Sequence, residues 1–249
     1  MSHLSKLLQN PQLWRSGRRD NGFRLPAISS GHTPLDRALH SDGWPLAGSS
    51  ELLCDDRGIG EISLLMPALA KLSQQQAIAW LNPPFQPYAP ALVQAGIKLE
   101  SCLFVCPQTP RDQLWAAEEL LRAAAFGAVI HCSGSQRLAD RDLRRLQLAA
   151  REQHCWHIHL RDLSTAAQSS PAPLRLTVAS TPSQLQIHVL KQAGGPAGQK
   201  VSVPRDARLL HEQQPVTQWP QPNPQHGKKS RFLLAHPLPA KPRQGLELH

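Results

Sequence analysis

Residues 51–65 read ELLCDDRGIGEISLL, and this stretch decides the fold. An apolar run at 51–54 enters a turn with two glycines, and a second apolar segment begins at Glu61. We predict a strand at 51–54 and a helix at 61–72. A strand, a glycine-containing turn and a helix in this order form the unit in which many α/β proteins hold a phosphate group.

The turn lacks the residues that a phosphate-binding loop requires. In the pattern GxxxxGK[ST], backbone N–H groups bind the phosphates, the lysine reaches the terminal phosphates and the hydroxyl group holds magnesium. With Gly60 as the second glycine, the first glycine position holds Asp55, the lysine position Glu61 and the hydroxyl position Ile62. We therefore predict a degenerate nucleotide site that takes no cofactor, with Glu61 in the first turn of a helix, where the helix dipole favours a carboxylate.

The charge change at Glu61 is large enough to abolish nucleotide binding. One charge pair at about 4 Å is worth roughly 4 kcal/mol at an effective dielectric constant of about 20, and a glutamate replaces attraction by repulsion. Affinity falls tenfold for about every 1.4 kcal/mol. Together with the absence of a serine-nucleophile motif or a suitably spaced carboxylate pair, this predicts a protein that is not an enzyme.

Short apolar runs alternate with helical segments around this unit, which is typical of a mostly parallel sheet with helices on both faces. The fold class is therefore α/β. The further predicted strands are 77–81, 103–106, 128–132 and 156–160, and the further helices are 88–95, 112–125 and 140–153. Two runs at 174–179 and 185–190, separated by TPSQ, predict a C-terminal β-hairpin that finishes the sheet.

Composition divides the chain of 249 residues into three parts. Residues 1–30 are predicted to form an N-terminal helix and a basic linker, and residues 31–203 the α/β core. Residues 204–249 are rich in proline, glutamine and basic residues, so we expect this tail to be disordered. An apolar island in the tail is a candidate peptide ligand for another protein, although a chance cluster explains it nearly as well. Its residues are Arg231, Phe232, Leu233 and Leu234.

The charge balance favours an acidic partner. The formal net charge is +9 at pH 7, which permits contact with nucleic acid without demonstrating it. No apolar run approaches the roughly 20 residues that span a bilayer, and the N-terminus lacks a secretory pattern, so we expect a cytoplasmic protein. The five cysteines include no CxxC pair, which argues against a disulfide framework or a zinc ribbon.

Two further groups of residues are candidate sites. The predicted helix 140–153 carries Arg141, Arg144 and Arg145, which form either a partner-binding surface or an ordinary solvated face. Cys155, His157 and His159 alternate along one predicted strand, close to His131 and Cys132 on the next. Nothing in this spacing enforces a tetrahedral ligand set, so we favour core packing and predict no metal site.

Several segments of the chain resemble a known family. The stretch LPAISSGHTPLDRAL, followed by GWPLAGSSELL and the strand–turn–helix unit, resembles the opening of a RecA-type core. The segments NPQLWRSG, GIGEISLLMPALA, PPFQPYAPALVQAGI, LWAAEELLR, LRRLQLAA and SPAPLRL are similar to ImuA, the RecA-like family of the ImuA–ImuB translesion cassette, and through it to SulA. The resemblance spans Pro11 to Pro204 and implies a RecA-like core.

The resemblance also implies where the catalytic groups of a RecA-type ATPase have been lost. The catalytic glutamate after the second core strand falls within Asn82–Pro84, where no carboxylate is present. The aspartate that ends the fourth core strand falls on Cys132. A thiol does not replace a carboxylate as a ligand of hydrated magnesium.

The resemblance implies an accessory role in bacterial damage-tolerant DNA synthesis. The implied partners are ImuB and the damage-tolerant polymerase complex, and possible further partners are RecA, DNA through indirect contact, and a second copy of the chain. One rival is a SulA-like division inhibitor that binds FtsZ, against which the longer N-terminal segment and the basic tail argue. The other is an active RecA-type ATPase, which Glu61, Ile62 and Cys132 oppose.

Overall fold

The computed structural model describes residues 25–56, 58–85 and 87–205. The predicted N-terminal helix, within 1–24, lies outside the described residues. So does the tail from 206 onward, including Arg231, Phe232, Leu233 and Leu234. In the part of the chain that is described, no helix combines the length and the apolar character that a membrane crossing requires.

Strands and helices alternate through most of the described ranges. The strands are β1 Ala27–Ile28, β2 Trp44–Pro45, β3 Gly48–Cys54, β4 Ala77–Leu81, β5 Cys102–Val105, β6 Phe126–Gly134, β7 Trp156–Asp162, β8 Leu174–Ser180, β9 Gln184–Gln192 and β10 Lys200–Pro204. The α-helices are α1 Thr33–Ala38, α2 Met66–Ser73, α3 Ala89–Gln94, α4 Pro110–Arg122 and α5 Asp140–Glu152. Short 3₁₀ turns lie at Leu99–Ser101 and Leu163–Thr165.

Eight of these strands form one sheet in the order β10-β9-β8-β3-β7-β6-β4-β5. The six strands from β8 to β5 in this order pair in parallel, and β8, β9 and β10 pair antiparallel. This is the predicted mostly parallel α/β sheet. The predicted C-terminal hairpin is formed by β8 and β9, and β10 extends it by a strand that we did not predict.

Helices cover both faces of the sheet, as predicted. On one face, α1, α2 and α3 pack on a cluster that contains Leu52, Ile130 and Ile158. On the other face, α4 and α5 pack on a cluster that contains Ala79 and Val129. Every residue of β3 and β6 is buried, because both strands lie inside the sheet and are covered on both sides.

Helix α2 begins five residues later than predicted, at Met66 instead of Glu61. Residues 61–65 form turns, in which Met66 N donates to Ser63 O at 3.3 Å. Pro67 explains the change because it has no N–H to donate to Ser63, and it disfavours helical backbone at the residue before it. The prediction that Glu61 lies in the first turn of this helix was therefore wrong.

Candidate functional site

The connection from β3 to α2 leaves the sheet at the carboxyl end of its parallel strands, the edge where open α/β sheets bind ligands. A small cleft opens there. It is lined by Cys54, Asp55, Asp56, Glu61, Pro84, Cys132, Leu160, Arg161 and Asp162. The structure thus brings Asp55, Glu61 and Cys132 together around one cleft, with Gly60 next to Glu61. Ile62 packs against the apolar cluster under α2.

The Glu61 carboxylate fills the position where the turn would hold an anion. Its Oε1 accepts a hydrogen bond from Gly58 N, and its Oε2 accepts one from Gly60 N, both at 3.1 Å. Gly58 and Gly60 have φ of 76° and 106°, a conformation that turns their amides towards the carboxylate at little cost. Glu61 is 5% exposed. The amides that bind phosphate in an intact loop are satisfied here by the protein itself.

The remaining charges of the cleft oppose a phosphate. Four of the described lining residues are acidic, namely Asp55, Asp56, Glu61 and Asp162. Arg161 is the one basic side chain among those described residues, and its Nη1 donates to Glu51 at 3.2 Å. Since its charge is already compensated by Glu51, the described lining residues together present negative charge to the cleft.

The positions that the resemblance matches to the carboxylates of a RecA-type ATPase hold a thiol, Cys132, and an amide, Asn82. Cys132 is 1% exposed and packs in the apolar cluster under α2. Its carbonyl accepts hydrogen bonds from Gln113 Nε2 at 2.8 Å and from Asn82 Nδ2 at 3.2 Å. Asn82 therefore serves to tie the end of β4 to β6. Neither side chain offers a negative oxygen for magnesium or for activating water.

A buried ion network lies beside the cleft, and sequence reasoning missed it. Glu51, 1% exposed, accepts from Arg161 Nη1 at 3.2 Å, from Arg175 Nε at 2.7 Å and from Ser170 Oγ at 2.6 Å. Arg161 also donates to Gln168 Oε1 at 2.6 Å. Burial lowers the pKa of Arg161, while Glu51 acts in the opposite direction. The sequence signal that could have indicated this network is a charged residue within a predicted buried strand. Glu51 is such a residue in ELLC, and Arg161 is one in WHIHLRD.

Three histidines form a second buried polar group on the face of the sheet that also carries Glu51 and Arg161. His131, His157 and His159 are each 1% exposed, and their ring centroids lie 4.6–5.6 Å apart in near-parallel stacks. Burial lowers the pKa of all three imidazoles, that of His131 to about 3. All three rings are therefore neutral at pH 7. Cys155 packs with the cluster under α4 and α5, and Cys132 faces the opposite side.

The arginines of α5 are exposed, as a binding surface requires. The Arg141 side chain is 86% exposed and its Nε lies 3.7 Å from Asp142 Oδ1. Arg145 pairs with Glu118 of α4 and with Asp142, so part of its charge serves to hold α5 against α4. Arg144 is exposed as well. The residues facing solvent most freely in this group are thus Arg141 and Arg144.

The sheet order defines a RecA-like α/β core, in which the turn after β3 binds the Glu61 carboxylate through the amides of Gly58 and Gly60. The RadB recombinase is a solved structure to which the chain is similar, with a TM-score of 0.55 and 15% identity over 70% of this chain and 94% of that one. At this identity the likeness shows the fold, which is RecA-like. No protein-family model matches the chain, and no curated protein matches it.

Proposed function

We propose that this chain is a non-catalytic adaptor of RecA-like fold that acts in bacterial damage-tolerant DNA synthesis. The proposal rests on the Glu61 carboxylate, which accepts hydrogen bonds from the amides of Gly58 and Gly60. These are the amides that would otherwise be free to bind a phosphate. A RecA-like core without nucleotide cannot run a cycle of binding and hydrolysis. What remains for such a core to offer is its surface.

Exposed apolar side chains support a role in protein binding. Phe85, Tyr88, Val93 and Trp115 are each more than half exposed, at 53%, 63%, 56% and 52%. Exposed apolar residues that lie together mark interaction sites, and Phe85, Tyr88 and Val93 fall within residues 85–93, whereas Trp115 lies on α4. The arginines of α5 add a basic surface on another helix. Both surfaces are available without any change at the cleft.

The choice of partners rests on the resemblance of the sequence to ImuA. It favours ImuB and the damage-tolerant polymerase complex as the principal partners, with RecA as a further one. The net charge of +9 is compatible with DNA nearby. In this role the chain holds proteins together on damaged DNA, and its own chemistry is not required.

The first experiment measures nucleotide binding by titrating the full chain with fluorescent ATP and Mg²⁺. We expect no saturable binding, and the same result for Glu61→Gln. Saturable binding that Glu61→Gln abolishes would contradict the closed site and return the chain to the ATPase class.

The second experiment is capture of ImuB, RecA and FtsZ by the full chain, by a chain that ends at Pro204 and by the double variant Arg141→Glu/Arg144→Glu. We expect nucleotide-independent capture of ImuB that the double variant weakens. The matched control is Arg37→Glu/Lys71→Glu, which makes the same charge change on exposed residues of α1 and α2. Equal loss in both variants would mean that net charge alone matters. Capture of FtsZ alone would assign the chain to the division inhibitors.

A further inference from the structure

We propose that His131, His157 and His159 form a transition-metal site that binds Zn²⁺ between β6 and β7. The topology brings the three imidazoles together. His131 and His159 are direct neighbours in the parallel pairing of β6 with β7, and His157 lies two residues earlier on the same face of β7. One ring nitrogen from each histidine can be chosen so that all three lie within 4.8 Å of one another.

The ring nitrogens are within reach of a common ion after a small movement. With Zn–N distances of about 2.0–2.1 Å and tetrahedral angles, two nitrogens on one zinc lie about 3.4 Å apart. One pair already has this spacing, since His157 Nε2 lies 3.4 Å from His131 Nδ1. Since one nitrogen from each ring lies within 4.8 Å of the other two, the wider pairs must approach by up to about 1.4 Å to share a zinc ion.

Two serines lie within hydrogen-bonding distance of His157 and His159, each at one ring nitrogen. Metal-bound histidines are usually supported by such a hydrogen bond at the nitrogen that does not bind the metal. Ser49 Oγ lies 2.8 Å from His157 Nδ1, and Ser133 Oγ lies 2.7 Å from His159 Nε2. A hydrogen bond at one ring nitrogen fixes the ring and leaves the other nitrogen for a metal. His157 Nε2 and His159 Nδ1 are the nitrogens left in this way.

His131 lacks, among the described residues, a serine of the kind that holds the other two rings. Its Nδ1 faces His157 Nε2 at 3.4 Å, and its Nε2 is fully buried without a hydrogen-bond partner in the described part of the chain. Buried polar atoms are nearly always satisfied, and exceptions often mark a functional position or an ion site. Because the three rings are neutral at pH 7, their lone pairs are available to a cation without first losing a proton.

The donor set decides which ions fit. Ca²⁺ and Mg²⁺ take oxygen ligands, whereas imidazole nitrogens suit Zn²⁺, Cu and Co²⁺. The positive charge of Arg161 opposes a cation at this position. Glu51, in register with His159, compensates the charge of Arg161. A bound ion would join the neighbouring interior strands β6 and β7, so its effect is on stability and independent of the adaptor role.

The test uses the chelator-treated full chain, titrated with Co²⁺ and followed by visible absorption. We expect tetrahedral ligand-field bands that saturate at one equivalent and disappear when Zn²⁺ is added. His131→Gln and His159→Gln should lose this signal, and His188→Gln on β9 should retain it. The chain has 12 histidines, so weak binding elsewhere is a background common to all variants. Saturation that is unchanged in His131→Gln would overturn the proposal, as would the absence of bands in the wild-type chain.

Two further measurements keep the test decisive if a variant folds poorly. In the wild-type chain and His188→Gln, Zn²⁺ should raise the midpoint of thermal unfolding, because an ion that binds only the folded state stabilises it. X-ray absorption of the zinc-loaded wild-type chain should show three imidazole ligands on the zinc ion. An unchanged midpoint, or a zinc environment with fewer than three imidazoles, would refute the site whatever the variants do.

Discussion

Arg175 Nε donates to Glu51 Oε2 at 2.7 Å, and this ion pair is buried between β8 and β3. Removal of one member of such a pair leaves an uncompensated charge in the core. We expect Glu51→Gln to lower the free energy of unfolding by about 3–5 kcal/mol, because both Arg161 and Arg175 lose their counter-ion. Urea denaturation measures the change.

The control for this change is Glu119→Gln, which neutralises an exposed glutamate of α4. Exposed substitutions of this kind usually stay within about 0.5 kcal/mol. Equal losses from Glu51→Gln and Glu119→Gln would show that the buried network contributes nothing beyond an ordinary surface charge.

Because of the three buried histidines, the free energy of unfolding should decrease as the pH falls. Their folded pKa values lie well below the ordinary 6.5, so the unfolded chain takes up protons first as the pH falls. Their contribution is fully present above pH 6.5 and is lost progressively below it. Each histidine should remove about 1 kcal/mol from the free energy of unfolding between pH 6.5 and 5.5.

Urea titrations in the presence of a chelator, at several pH values between 7.5 and 5.5, measure this loss. Substitution of one of the three, for instance His157→Gln, should reduce the slope by about one proton. Substitution of His188, which is only partly buried, should leave the slope unchanged. A free energy of unfolding that stays flat over this range would contradict the burial of neutral imidazoles.

The Glu61 carboxylate should stabilise the loop that it closes. Glu61→Ala leaves the amides of Gly58 and Gly60 without their acceptor, and we expect a loss of about 1–3 kcal/mol in the free energy of unfolding. Hydrogen exchange of these two amides should accelerate. Asp56→Asn, an exposed change of the same charge in the same cleft, is the control.

Restoring the lysine of the loop alone should not restore nucleotide binding. In Glu61→Lys the carboxylates of Asp55, Asp56 and Asp162 still line the cleft, and Cys132 still lies where the resemblance to RecA-type cores implies an aspartate. Isothermal titration with ATP and Mg²⁺ should therefore detect no binding. Micromolar affinity in this single variant would show that Glu61 alone keeps the nucleotide out.

The five thiols should differ in their rates of alkylation. Cys106 is exposed, while burial raises the pKa of Cys102 from 9.0 to about 11 and so lowers its thiolate fraction about 100-fold. Cys54, Cys132 and Cys155 are buried. We expect iodoacetamide to modify Cys106 first, as peptide mass spectrometry would show, and Cys106→Ser to remove this early product. Early modification of Cys102 instead would be inconsistent with the raised pKa.

Sequence patterns predicted the strands of the sheet well, because a strand buried on both sides leaves a continuous apolar run such as AIAWL in β4. They missed β10, KVSVP, since an edge strand that is only partly buried has no such run. The start of α2 was misplaced because apolar periodicity outweighed the effect of Pro67.

The turn that carries Asp55 and Gly60 directly after β3 could be predicted from the sequence, because local spacing fixes its position. The ion network could not, because Glu51 and Arg161 are 110 residues apart in the chain. Only the pairing of β3 with β7 makes them neighbours. The clustering of His131 with His157 and His159 was inferred from strand alternation, but the serines that hold the rings required the structure.

The Glu61 carboxylate has a consequence for any free anion that approaches the loop. A carboxylate attached to the chain next to the amides acts as a tethered competitor, whose effective concentration is millimolar or higher whatever the supply of free nucleotide. A free anion must therefore displace the Glu61 carboxylate before it can reach the amides of Gly58 and Gly60.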